Sequence, residues 1–355
     1  MPLKSFKATD FRCLESVALE FNEGNNLICG PNASGKTSIL EAIGYLGRAR
    51  SFRSAGVNEL VRHGEKEFIL FGKADTGSRI ATLGIKNGRD GPEVHIDGEK
   101  TSSAAPLAEA LPLQVIDPDV HDLVAGGPEN RRRYIDWVAF HVEQPYLDSW
   151  RRYRRALKQR NAALKAGDRR ADLESWDREL AELGLTVDAA RQRMLDITAP
   201  AVEELGEAFL GSEVSMVYAR GWSAEKDLLE SFRAGRERDY QLGSTQAGPH
   251  RGDLRLRYDE RQARKLVSRG QQKLLACALI LAATDVVQTH LEKPLTLLID
   301  DPVAELDRES LMRLMTAVAN LDCQVVATTL EPDKSLFNEQ PVVFHVKHGR
   351  VEQAV

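Results

Sequence analysis

A chain of 355 residues, 42% hydrophobic and 28% charged with a formal charge of −5, has the composition of a globular protein with room for two or three structural units. That balance excludes a disordered, fibrous or collagen-like chain, and it neither demands nor excludes nucleic acid as a partner. The N-terminus MPLKSFKATDF lacks a signal-peptide apolar stretch, no window approaches the roughly 18 to 20 apolar residues that span a bilayer, and the four dispersed cysteines show no metal-ligand spacing, so the chain reads as cytoplasmic with buried, reduced thiols.

The first third opens with short strand-like runs, SVALEF and NNLICG, which lead into the loop GPNASGKT and a helix predicted over about residues 36–46. Further strand candidates, EFILFGKA, RIATLGIK and EVHID, suggest a flanking meander. The loop comprises Gly30, Pro31, Asn32, Ala33, Ser34, Gly35, Lys36 and Thr37, and it fits Gly, four residues, Gly-Lys-Thr at a strand-to-helix junction. Glycines let the backbone wrap a polyphosphate with its N–H groups inward, and the helix start adds a favourable field. Lys36 would contact the β and γ phosphates of ATP, and Thr37 would offer its hydroxyl to Mg2+. A plain glycine turn would leave Lys36 unexplained.

Between about residues 129 and 210 the texture changes to long, charged, helically spaced segments, which predict a helical insertion. Its first part is basic: residues 130–170 hold 12 Lys and Arg against 4 Asp and Glu. DNA needs such cations for its phosphates, and Arg151, Arg152, Arg154, Arg155 and Lys158, interleaved with Trp150 and Tyr153, are the leading candidates. The competing reading is a solvated helix face held by ion pairs. Arg131 to Arg133, in GPENRRRYIDW, could equally serve the fold.

The last third returns to strands. LRLRYDERQARKLV reads as a hairpin turning at Asp259 and Glu260, and SRGQQK then opens onto the apolar run of residues 274–283. The buried-strand run LTLLI ends in Asp300 and Asp301, at the carboxyl edge where ligands bind in such sheets. Asp300 would orient Mg2+ and Asp301 could accept a proton from the attacking water, while Asp307 opens the next predicted helix. The expected architecture is therefore α/β, with an ATPase domain formed by residues 1–118 and 245–355 and a helical arm over residues 119–244.

The order GPNASGKT, SRGQQK, LLIDDPVAELD resembles the ABC-type ATPases, in which a signature loop precedes the strand bearing the metal carboxylate. Within them FRCLESVALEF, LPLQVIDPDVHDLVAGGPENRRRYIDW, LKQRNAAL and GPHRGDL narrow the resemblance to the RecF family of the DNA-repair branch. The resemblance implies that Ser268, Arg269, Gly270 and Gln271 meet the nucleotide of a second copy, and that Asp307 lies in a loop facing that copy. It offers Arg12 as a basic residue near the nucleotide, with a surface arginine as the alternative, and Gln114 as a metal-edge glutamine. It further implies an ATP-dependent homodimer on single-stranded or gapped DNA, with RecR and RecO as partners, supporting recombinase loading and the damage response. An ABC-transporter ATPase subunit is the runner-up, but Thr328 and Thr329 stand where transporters carry a switch histidine. No membrane partner is expected.

Overall fold

The computed structural model describes residues 1–53, 56–89, 91–167 and 173–353, and the chain divides into two compact units, Met1–Val120 with Gln288–Val355, and His121–Val287. Alternating apolar residues give β1 (Leu3–Phe11) and β2 (Leu14–Glu20), followed by β3 (Asn25–Cys29), α1 (Lys36–Arg48) and the single turn α2 (Val57–Leu60). The predicted meander is β4 (Glu67–Asp75), β5 (Ile80–Gly88) and β6 (Glu93–Ile96), to which the structure adds β7 (Glu99–Thr101), after which come α3 (Ala105–Ala110) and β8 (Leu113–Ile116).

The second unit holds α4 (Asp122–Ala125), α5 (Pro128–Val142), α6 (Tyr146–Ala166), α7 (Leu173–Leu210), β9 (Val214–Ala219), α8 (Leu228–Leu242), β10 (Asp253–Tyr258), β11 (Arg261–Gln262), α9 (Ala263–Leu266) and most of α10 (Arg269–Leu291). The chain then rejoins the first unit through β12 (Thr296–Ile299), α11 (Pro302–Glu305), α12 (Arg308–Ala319), β13 (Gln324–Thr329), β14 (Val342–Lys347) and β15 (Arg350–Gln353).

In the first unit one six-stranded sheet runs β2-β1-β4-β5-β6-β7, antiparallel throughout. The other runs β15-β14-β3-β13-β12-β8 and is parallel from β14 to β8. Its strands β8, β12 and β13 are buried at every residue, which is why LTLLI and QVVATT read as unbroken apolar or small-residue runs rather than alternating ones. One apolar core joins the two sheets through α1, where Phe68 meets Phe11 and Tyr45 edge-on at centroid distances of 5.0 and 5.3 Å.

The second unit differs from expectation in extent and in the use of its charges. It continues to Val287 instead of ending near residue 244, because β10 pairs antiparallel with β9 and packs with the arm's own α5. The predicted hairpin turn is present, with Asp259 and Glu260 both in the left-handed region at φ 46° and 60°, as a type I′ turn requires. The buried stripe of α6, Tyr146, Tyr153, Ala156, Arg160 and Leu164, contains an arginine. Arg160 Nε and Nη1 donate to Asp177 and Asp239 at 2.6 and 2.7 Å, and Arg191 Nε donates to Asp136 at 2.7 Å, so these buried cations are neutralised within the unit.

Two further expectations change. Helix α10 is long and apolar enough by composition to cross a bilayer, with mean hydropathy 1.7 over 18 residues, although 67% of that stretch is buried in the protein, as in the core helix of a folded domain. Cys29, Cys277 and Cys323 are buried as expected, but Cys13 is exposed on the turn between β1 and β2.

Candidate nucleotide site

The loop Gly30–Thr37 leaves β3 at the middle of the parallel sheet and feeds α1. Its glycines answer to close neighbours: a Cβ on Gly30 would lie 2.2 Å from the Val346 carbonyl oxygen, and Gly35 has φ 111° with Cys13 and Leu14 against it. Ala33 also adopts the left-handed region, at φ 61°, which turns successive N–H groups into one concavity. Lys36 is buried, and its Nζ donates to the carbonyls of Gly30 at 2.8 Å and Pro31 at 3.2 Å, over the mouth of the loop. Ser34 Oγ is buried without a hydrogen-bond partner. An orphaned hydroxyl in such a loop fits an incoming phosphate oxygen.

The carboxylate edge meets the loop directly. Thr37 Oγ1 donates to Asp300 Oδ1 at 3.1 Å, and Thr328 Oγ1 donates to the same oxygen at 2.7 Å while accepting the Asp301 N–H at 2.9 Å. Burial raises the Asp300 pKa, while the two threonine hydrogen bonds oppose that rise. Asp301 is half-buried with φ 45°, in the left-handed region that a non-glycine residue seldom adopts. Hard oxygen donors around one carboxylate suit Mg2+, which takes few protein ligands and completes its shell with phosphates and water.

Not every expected residue reaches this edge. Gln114 lies inside β8 and its Oε1 accepts from Arg48 at 3.0 Å. Asp117, which follows Ile116, instead stands beside Asp300, whose N–H donates to the Ile116 carbonyl at 2.8 Å. Burial foremost, then the charges of Asp119 and Asp300, raise the Asp117 pKa to about 6. Arg12 is likewise committed elsewhere. Its Nε and Nη2 grip the two carboxylate oxygens of the fully buried Glu41 on α1 at 2.9 and 2.8 Å, pinning the β1–β2 turn to the helix. Ser51 and Arg53 complete the Glu41 pocket, and the Arg53 charge favours ionised Asp300. Neither Glu41 nor Thr328 was singled out as a site residue, because each acts through partners far away in the chain.

In the second unit Ser268 and Gln271 form a reciprocal cap on α10: Ser268 Oγ accepts the Gln271 N–H at 3.3 Å, and Gln271 Oε1 accepts the Ser268 N–H at 2.9 Å. Gln272 Nε2 donates to the Val267 carbonyl. Ser268, Arg269 and Gly270 are exposed, and a Cβ on Gly270 would meet nothing within 4 Å. Asp307 is exposed and caps α12, accepting from the Ser310 N–H at 3.0 Å, which lowers its pKa.

On α6 the side chains of Arg151, Arg152, Arg154, Arg155 and Lys158 are all exposed, as a phosphate-binding face requires. The aromatic part of that reading changes: Tyr153 is fully buried, its hydroxyl donating to His250 Nδ1 at 2.6 Å, and Trp150 stacks on Tyr153 at 5.8 Å. Arg131 and Arg132 serve the fold, donating to Asp253 and to the Gly252 carbonyl.

Comparison with known proteins gives a consistent result over nearly the whole length. A model of the RecF/RecN/SMC N-terminal domain family matches residues 2–352. The DNA replication and repair protein RecF of Pseudomonas aeruginosa strain LESB58 is 40% identical over 99% of this chain and 98% of its own, and that of Azotobacter vinelandii is 40% identical over 99% of each. Among solved structures, the recombination mediator protein RecF-ATP in the RecFOR pathway superposes with a TM-score of 0.89, at 26% identity over 99% of this chain and 97% of its own. An Smc head bound to the C-winged helix domain of ScpA gives 0.61 at 14% identity over 100% and 97%, a likeness of fold. These similarities place the fold among ABC-type ATPase heads and do not favour the transporter reading.

Proposed function

The chain belongs to the RecF family, within the wider RecF/RecN/SMC N-terminal domain family, and from that premise we propose that it is an ATP-dependent DNA clamp of replication and recombinational repair. ATP would bind the Gly30–Thr37 loop of each copy, with Lys36 exchanging the carbonyls of Gly30 and Pro31 for phosphate oxygens. Bound Mg2+, held by Thr37 and Asp300, would supply charge neutralisation at the phosphates. Asp301, its N–H fixed by Thr328, would accept the proton of the attacking water. An aspartate reaches less far than a glutamate, which suits slow turnover and switch-like release.

The open surface at Gly270 carries this reading. Among the described residues nothing stands where its Cβ would be, so within them nothing calls for glycine, and a need for bare backbone at the start of α10 would have to come from outside. A second copy's ATP, approaching Ser268, Arg269, Gly270 and Gln271, supplies that need, with Asp307 facing the same partner. Two copies closing head to tail would then bring the exposed cations of α6 onto single-stranded or gapped DNA in the cytoplasm. RecR and RecO would be their partners in loading recombinase and supporting the damage response.

Light scattering of the full chain tests the central step. Mass should double when ATP is added and the ATP-bound pair should retain gapped DNA, whereas Lys36→Met should stay a monomer. An unchanged mass for the unsubstituted chain with saturating ATP would overturn the clamp.

A further inference from the structure

The β9–β10–β11 sheet of the second unit carries positive charge with no use in the site described above. Directly paired residues share a face, so Arg255, opposite Val217, and Arg257, opposite Ser215 and Gln262, point to one side, while Leu254 and Leu256 are buried on the other. Arg261 on β11 and Arg264 and Lys265 on α9 continue the series, and all are exposed. Beside Arg255 opens a cleft of about 310 Å³ whose lining includes Arg131, Asp253, Arg255, Gln262 and Arg264.

The two kinds of arginine in this cleft differ in what they already hold. Arg131, only 3% exposed, is fully committed: Nε and Nη2 donate to Asp253 at 2.8 and 3.2 Å, and Nη1 donates to the carbonyls of Gly126 and Val124. It therefore neutralises the one carboxylate in the lining. Arg255 and Arg264 have no ion pair or hydrogen bond among the described residues, nor do Arg257, Arg261, Lys265 and Arg269. Other arginines in the unit do find acids: the exposed Arg193 and Arg233 pair with Glu143 and Glu174, and the partly buried Arg220 pairs with Asp188. Pairing with the unit's own carboxylates thus occurs elsewhere in the unit and is absent from this strip, as it is from Arg152, Arg155 and Lys158 of α6.

We propose that the cleft and the strip from Arg255 to Lys265 bind the phosphodiester backbone of DNA, with one phosphate seated between Arg255 and Arg264 and Gln262 donating from its side-chain amide. A protein partner would call for an apolar centre, and one large exposed apolar side chain, Leu266, adjoins the strip. Sequence-independent DNA contact calls instead for the unpaired guanidinium and ammonium groups found here. The inference rests on the DNA-clamp reading and adds to it a second contact surface, separate from α6 in the sequence and built on a sheet.

The test uses the full chain with ATP and labelled gapped DNA, titrated with salt. Arg255→Gln combined with Arg264→Gln should weaken binding roughly tenfold and lower the slope of log affinity against log salt by about 0.9, the release expected for the one phosphate seated between them. Both substitutions to lysine should keep most of the slope, and the mass change on adding ATP should persist in every variant. An unaltered slope and affinity in the glutamine pair, in a preparation whose unsubstituted chain binds DNA and dimerises, would overturn the surface alone. No DNA binding by the unsubstituted chain at any salt would overturn the clamp itself. A labelled polyglutamate peptide that binds the unsubstituted chain and is lost with the glutamine pair, at unchanged DNA affinity, would reassign the strip to an acidic protein and end the proposal.

Discussion

Thr328 couples the two carboxylates at the end of β12, since one hydroxyl serves Asp300 as donor and the Asp301 N–H as acceptor. Thr328→Val keeps the shape and removes both bonds, which should cost about 1–3 kcal/mol in urea denaturation and slow nucleotide turnover more than it weakens nucleotide binding. Equal turnover in the two proteins would refute the coupling. His250 gives a second expectation. It is held neutral between Tyr153 and the Thr245 carbonyl, and burial pushes its pKa down from 6.5 to about 4. The unfolded chain therefore takes up this proton first. The contribution is complete above pH 6.5 and is lost as pH falls toward 4, by on the order of 3 kcal/mol in all. His250→Gln should flatten the pH dependence of the unfolding midpoint across that window. The phosphate loop was legible because its chemistry is contiguous, from Gly30 to Thr37. Thr328 and Asp117 were not, because strand register, rather than local spacing, brings them to Asp300.

Among the elements, helix and strand positions followed the pattern closely: α12 begins directly after Asp307, where the sequence placed it, and LTLLI is a buried strand, paired in parallel with β13. What the pattern concealed was which charges are interior. A helix bearing Arg151 to Arg160 shows the same spacing whether a cation meets water or an aspartate, and Asp177 and Asp239, which capture Arg160, come from α7 and α8. The basic arm is consequently less basic at its surface than its composition implies. Helix α7 adds a testable irregularity. Pro200 is exposed within its 38 residues, where proline removes one backbone N–H and crowds the preceding turn. Pro200→Ala should raise stability by about 1–3 kcal/mol, read as a higher urea midpoint. A lower midpoint would mean that the packing of α7 depends on the proline.

At the scale of the whole molecule, a nucleotide site shared between copies predicts complementation. Ser268→Arg should bind ATP as a monomer but fail to pair, because the added side chain meets the other copy's nucleotide. Mixed with Lys36→Met, it should regain dimers, since that pair retains one loop that binds ATP and one intact Ser268 to cover it. Mixtures no better than either variant alone would rule the shared site out. The loop itself is also a product of both chain ends. Val346 presses its carbonyl against Gly30, Gly349 donates its N–H to the Ser34 carbonyl, and β3 lies between β13 and β14. During synthesis the phosphate loop precedes these walls by some three hundred residues. The loop is therefore not walled until β14 and β15 have been made, after the whole of the second unit with its exposed cations.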